Sequence, residues 1–498
     1  MTEGPLAAPA FANGTAATRM TRTPRRAMKI RDNSARTGKL HLVLLEGRRR
    51  KPDRQREARP RRAAAAAAAL TLTLTLALAA CGDPARDLEV GTVGYARGFA
   101  GLVAAEEPRA VLVGRDVLSA GGTAADAAVA MALTLTVTLP SGAGVGGGGL
   151  CVLHDAETKA TETLDFLPPP SPGPVAVPAL PRGLFALQAK YGRLRWESLV
   201  APAENLARFG ERVSRSLAAD LAALGAGQGP GNLAARRLFA PQDRLLTQGE
   251  TLVQADLAAV LARLRQHGVG PLYSGALGHA WVAAAHRLGS PLTADDLRAY
   301  RPRFVQTIHL KEGDETVHLP GDALPGHEVA GLWTAAPIAG GMEDAAARLA
   351  LGAGGTGLVA ADATGSAVVC ALTMNGALGS GQMLEGLGMM AAVPAPAAGQ
   401  TAVPLAVAME INHNVNEFRA AAVAVGGGAA ANLVRVEKPV AAGTQTLGEA
   451  LAAVAGQPSG PAVVTAASCP KGLPPFPQSC SVARDPRSHG YGAIVGVE

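Results

Sequence analysis

Apolar positions in this chain fall into runs of two lengths. Leu358–Ala361 and Ala367–Thr373 are short and nearly continuous, with Asp362, Ala363, Thr364 and Gly365 between them. Short apolar runs on either side of turn-forming residues predict a β-hairpin. Thr356 stands at its head, behind Gly354 and Gly355. The longer runs read as helices. Val111–Ser119 predicts one that stops at Gly121-Gly122, and Ala124–Thr138 predicts another, apolar on nearly every face and therefore buried. Asp126 lies in its first turn, where the helix dipole favours a carboxylate, and reads as a structural cap before a catalytic acid. Pro140–Val145 and four glycines, Gly146–Gly149, then feed a strand at Leu150–His154.

The glycine run formally contains GxGxxG from Gly142 to Gly147, but a dinucleotide site needs strand before and helix after. Here the order is helix, glycines, strand, so the run reads as close backbone packing or a substrate-facing loop. Ser141 has no GxSxG elbow around it, and no serine triad is expected.

Thr356 is the residue with chemical interest. A threonine hydroxyl is a poor nucleophile at neutral pH, and one way to activate it is to make the residue a new chain terminus whose α-amino group acts as base. That amine titrates near pH ~7.7–8.0, close to working pH. Glycines before Thr356 would permit the strained backbone that an internal acyl shift requires. Gly-Gly-Thr before a strand also describes an ordinary turn.

Charge changes the picture at one end of the 498-residue chain only. Residues 1–62 carry 17 Lys and Arg against 5 Asp and Glu, and the remainder 29 against 35. The net charge of +6 thus belongs to the first segment, and no basic nucleic-acid surface is expected. Arg61-Arg62, the apolar run Ala63–Ala80 and then Cys81 describe a secretory signal. Its ending, Leu78-Ala79-Ala80-Cys81, resembles a bacterial lipobox, which implies lipidation at Cys81, export, and a membrane-anchored protein of the periplasm or cell envelope. A run of 18 apolar residues is also borderline for a transmembrane anchor. In an oxidising compartment Cys469 and Cys480, flanking a proline-rich loop, are the expected disulfide, while Cys151 and Cys370 in apolar strands read as buried thiols. No CxxC or HExxH spacing occurs, so neither metal nor cofactor is expected.

Several separated blocks carry a resemblance. GRDVLSAGGTAADAAVAMALTLTVTLPSGAGVGGGGLCVLHDAETKATETLDF, then VPALPRGLFALQAKYGRLRWESLVAPAENLARFGERVS, LYSGALGHAWVAAAHRLGSPLTADDLRAY and WTAAPIAGGMEDAAARL are similar, in that order, to the γ-glutamyltranspeptidase family. The resemblance spans roughly residues 97–430 and implies an α+β fold, the four-layer αββα sandwich of N-terminal-nucleophile hydrolases. It implies autocleavage between Gly355 and Thr356 into a large region, 81–355, and a small one, 356–498, behind a basic extension and signal at 1–80. Thr356 would be the nucleophile. Thr373 and Asn375 would match the Thr-x-Asn that supports it and touches substrate, and Gly427 and Gly428 the glycine pair that forms the oxyanion hole. The implied substrate is a small-molecule amide or peptide, with a γ-glutamyl donor such as glutathione as default.

The departures cluster where substrate would bind. Leu167 stands where the family has an arginine for the donor carboxylate, Val393–Pro396 where it has an acidic pair, and Ala406-Val407 where it has two serines. A leucine offers no fork for a carboxylate, and an uncharged acyl group suits it better. The hairpin is one residue short after Thr356. Without a gap the nucleophile column falls on Gly355, and a one-residue slip turns a strand's side chains to the other face. The contrasting reading is a catalytically degenerate surface lipoprotein that binds a partner or ligand on the same scaffold.

Overall fold

A computed structural model describes residues 98–225, 231–321, 324–335, 354–456 and 462–496. The expected signal and lipidation site at Cys81 lie outside the described residues, as does most of the WTAAPIAGGMEDAAARL block.

Among the described residues the apolar strands build two principal antiparallel sheets. The strands, in chain order, are β1 (Gly101–Ala105), β2 (Gly148–Asp155), β3 (Ala160–Phe166), β4 (Arg303–Gln306), β5 (Ile308–Glu312), β6 (Glu315–Leu319), β7 (Gly355–Asp362), β8 (Ala367–Thr373), β9 (Leu405–Asn412), β10 (Glu417–Val425), β11 (Val463–Leu473), β12 (Ser481–Arg484) and β13 (Tyr491–Val495). One sheet runs β13-β1-β7-β8-β2-β3-β4, the other β12-β11-β10-β9-β6-β5. The predicted hairpin is β7–β8, at the centre of the first sheet, with β7 longer than expected and beginning at Gly355.

Side-chain alternation along these strands sorts the molecule into layers. In β7, Val359 and Ala361 point inward to Leu405, Val407, Met409, Val423 and Val425 of the second sheet. Leu358 and Ala360 point outward to the helices Pro108–Ser119 and Ala124–Thr138. The second sheet repeats the logic, turning Ala406, Ala408, Ala422 and Ala424 out against the helices Ala429–Ala441 and Leu447–Ala455. Strands apolar on both faces are therefore covered on both faces, which makes the expected αββα sandwich. The helix Ala124–Thr138 is buried along its whole length. Its threonines are tolerated there because Thr134, Thr136 and Thr138 donate back to Ala130, Leu133 and Thr134 carbonyls.

Two expectations change. The first helix starts at Pro108 instead of Val111, since Glu107 caps it by accepting from the Ala110 amide and proline is well placed at a helix start. Cys151 and Cys370 are not free thiols: they face each other across β2 and β8 and form a disulfide. Cys469 and Cys480 are bonded as expected. Asp126 is the cap anticipated, in a reciprocal box with Thr123. The glycine run packs backbone on backbone: a Cβ at Gly148 would lie 2.2 Å from the Phe166 carbonyl oxygen, and one at Gly147 2.5 Å from that of Thr373.

Candidate active site

The hairpin register decides how its residues meet. Gly355 lies opposite Thr373, and Thr356 opposite Leu372. Thr356 therefore shares the outward row of Leu358 and Ala360, whereas Thr373 continues the inward row of Val369 and Ala371. The two hydroxyls, both fully buried, point to opposite faces of one sheet. Gly355 is the residue of β7 that faces the second sheet beside Thr373: a Cβ there would stand 2.5 Å from Val425.

On the inner face, Thr373 Oγ1 donates to the Gly354 carbonyl at 2.9 Å and accepts from the Asn375 amide at 2.9 Å. The Asn375 side chain donates to the Val393 carbonyl at 3.0 Å and accepts from the Ala402 amide at 3.2 Å. Thr373 and Asn375 thus fasten the chain around Gly354. Gly427 and Gly428 follow Val425 and lead into the helix Ala429–Ala441, with Gly428 at φ 80° as its cap. The Gly427 carbonyl accepts from the Ala462 amide, and neither glycine's N–H donates to a backbone carbonyl among the described residues. Leu167 is buried in the core between the sheets, with its amide on Asp165.

The outer face is chemically richer. Thr356 Oγ1 donates to Glu106 Oε2 at 3.3 Å. Glu106 follows β1 and is buried; burial pushes its carboxyl well above the ordinary range, the nearby Asp220 charge adds to this, and hydrogen bonds from Thr356 and the Gly357 backbone pull the other way. Asp220, on the helix Arg215–Gly225, is pushed up to about 6 by burial, and Ser141 donates to it at 2.5 Å. These groups border a cavity of about 140 Å³ lined by Glu106, Leu139, Asp220, Gly355, Arg487 and His489.

Gly142 closes the arrangement. A Cβ on it would lie 2.6 Å from the Gly355 oxygen, 2.9 Å from the Gly355 carbonyl carbon and 3.2 Å from Thr356 Cβ, so only glycine lets this loop rest on the Gly355–Thr356 peptide. A larger open cleft, about 1190 Å³, is lined by Asp155, Lys190, Arg193, Asp362, Asn416 and Pro474, and includes none of these groups. Among the described residues no group of three or more His, Cys, Asp or Glu is placed to hold a metal ion.

The sequence points to Thr356, Thr373, Asn375, Gly427 and Gly428; the structure adds Glu106 and Asp220 to the surroundings of the Thr356 hydroxyl, and the loop residue Ser141 to those of Asp220. The one available signal was a pair of acids, Glu106-Glu107, directly after an apolar strand.

Two face-to-face antiparallel sheets with helices outside both make a four-layer αββα sandwich of the α+β class. Residues 110–169 and 167–329 match the family model described as gamma-glutamyltranspeptidase, and the chain is similar to members of that family. It is 30% identical to glutathione hydrolase 3 of Arabidopsis thaliana over 266 residues, covering 47% of this chain and 40% of that one. It is 30% identical to the glutathione hydrolase proenzyme of Escherichia coli (strain K12) over 229 residues, covering 40% and 38%. The chain thus spans about two fifths of the length of these relatives, and the family-model match ends before Thr356. The fold extends the likeness: a cephalosporin acylase structure from Bacillus halodurans superposes with a TM-score of 0.66 at 17% identity, covering 83% of this chain and 99% of that one.

Proposed function

We propose that the chain is the precursor of an exported acyl-transfer enzyme, cut between Gly355 and Thr356, that hydrolyses or transfers an acyl group from a small amide through an ester on Thr356. The observation that carries this reading is the buried Thr356 hydroxyl at the head of a central strand, hydrogen-bonded to a carboxyl that borders a cavity reaching Gly355. After cleavage the new α-amine of Thr356 is the base that titrates near working pH. Thr373 and Asn375 hold the preceding turn, and Gly427 and Gly428 supply the oxyanion donors. The large region is 81–355, the small one 356–498, and Cys81 the lipid anchor.

The relatives' names point to glutathione, but Leu167, Val393–Pro396 and Ala406-Val407 provide no charged ligand for a γ-glutamyl head. An uncharged acyl donor fits this chain better. The test is intact mass and a reducing gel on the full chain and on Thr356→Ala, followed by turnover of γ-glutamyl and uncharged acyl anilides. Cleavage before Thr356 in the parent, an uncut variant, and faster release from the uncharged acyl anilide are expected. Preference for the γ-glutamyl compound would overturn the substrate assignment.

A second reading has one observation in its favour. Thr356 and Thr373 face opposite sides of the sheet, and a degenerate scaffold that binds a partner or ligand has no need to bring them together. A parent chain that stays whole after long incubation would favour it.

A further inference from the structure

Resting on that reading of Thr356, we infer that Glu106 is the proton acceptor for cleavage of the Gly355–Thr356 bond, a role separate from the α-amine that serves the mature enzyme. The uncut chain has no such amine, because the Thr356 nitrogen is still an amide, so its hydroxyl needs another base. Glu106 is the carboxylate in hydrogen-bond contact with that hydroxyl, at 3.3 Å, and it lines the cavity that also reaches Gly355. Gly142 lies against the peptide to be broken and leaves no room for a side chain beside it.

The step balances with water as the only co-reactant. The Thr356 Oγ1 proton passes to Glu106 as Oγ1 bonds to the Gly355 carbonyl carbon. The C–N bond then breaks, and the Thr356 nitrogen takes the proton back from Glu106, leaving an ester between Gly355 and Thr356. Water hydrolyses the ester, giving a Gly355 carboxylate, a free Thr356 hydroxyl and its α-amine.

The charged groups around Glu106 fix the pH behaviour. Asp220 faces it from the helix Arg215–Gly225, and Asp485 from beyond β12; both charges hold its proton on. Arg487 is paired with Asp485, and His489 is held below the ordinary histidine range by burial and by Arg215 and Arg484. Asp220 is itself pushed up to about 6 by burial. Cleavage therefore accelerates as pH rises through the Glu106 transition, and removing the Asp220 charge moves that transition to lower pH.

The full chain is prepared whole at mildly acidic pH and jumped to a series of higher pH values, with cleavage followed by intact mass for the parent, Glu106→Gln, Asp220→Asn and Thr356→Ala. The melting curve of each variant checks that it is folded. The expected result is cleavage slowed on the order of a hundredfold or more in Glu106→Gln, a profile displaced toward acid in Asp220→Asn, and none in Thr356→Ala. Glu106→Gln cleaving within threefold of the parent, or an Asp220→Asn profile that does not move, overturns the role of Glu106 while leaving Thr356 as nucleophile. A parent that stays whole at every pH overturns both.

Discussion

Single buried carboxylates do different work in this molecule according to what faces them. Glu106 meets a hydroxyl and two further acids, and its proton is held. Asp126 meets donors: its Oδ2 accepts from the backbone amides of Thr123 at 3.0 Å, Arg193 at 2.9 Å and Leu194 at 3.0 Å. One side chain thus caps a wholly buried helix and fixes the connection that runs past it. Asp126→Ala would leave those amides without their acceptor, and a loss of roughly 2–4 kcal/mol is expected. Asp126→Asn keeps one acceptor oxygen and should lose about half as much. Urea unfolding of the two variants measures this. Equal, small losses would mean that water replaces the carboxylate and that Asp126 is not the cap on which the helix depends.

At the scale of elements, the Cys151–Cys370 bond has a consequence for maturation. β2 lies before Gly355 and β8 after it, so the bond joins the two regions that cleavage would separate. Cleaved chain is expected to run as one species without reductant and as two with it. Two species without reductant would mean that the bond does not form. The hairpin and the buried helix were legible in the sequence because each is a local pattern, a turn cluster between apolar runs and an unbroken apolar stretch. The disulfide was not, since apolar strands containing cysteine look alike whether or not they become neighbours, and Cys151 and Cys370 are 219 residues apart. Glu106 was hidden for the same reason, reaching Thr356 across 250 positions. The face of Thr356 was half legible. The short hairpin warned of a slip, but only the register places Gly355, and not Thr356, opposite Thr373.

Across the whole molecule, the space between the sheets is apolar around Val359 and Val423 and turns polar where histidines from both sheets meet. His318 Nε2 and His413 Nε2 are 2.8 Å apart, so one donates and the other accepts, and a further proton would set two donors against each other. His318 is pushed down to about 3, first by burial and then by His413, with His309, His154 and Lys311 adding to it. His154 is pushed down to about 4 by burial and by His413. Both stay neutral when folded and take protons when unfolded, so their contribution is fully present above about pH 6.5 and is lost as pH falls below it. At pH 5 each costs roughly 2 kcal/mol. Buried acids oppose this. Glu410, raised to about 7, and Asp220, at about 6, take up protons in the folded state before the unfolded one and gain stability over the same interval. Net stability against pH is therefore a difference of similar quantities, and a variant must isolate the histidines. Urea unfolding of the parent and of His154→Gln/His318→Gln at pH 7.5 and 5.0 does so, because the acids are common to both chains. The variant is expected to be less stable at pH 7.5, where it loses the packing and the His318–His413 bond, and to recover several kcal/mol relative to the parent at pH 5.0. A gap between the two chains that is the same at both pH values would show that these histidines charge as freely in the folded protein as in water, and that the polar end of the sandwich is open to solvent.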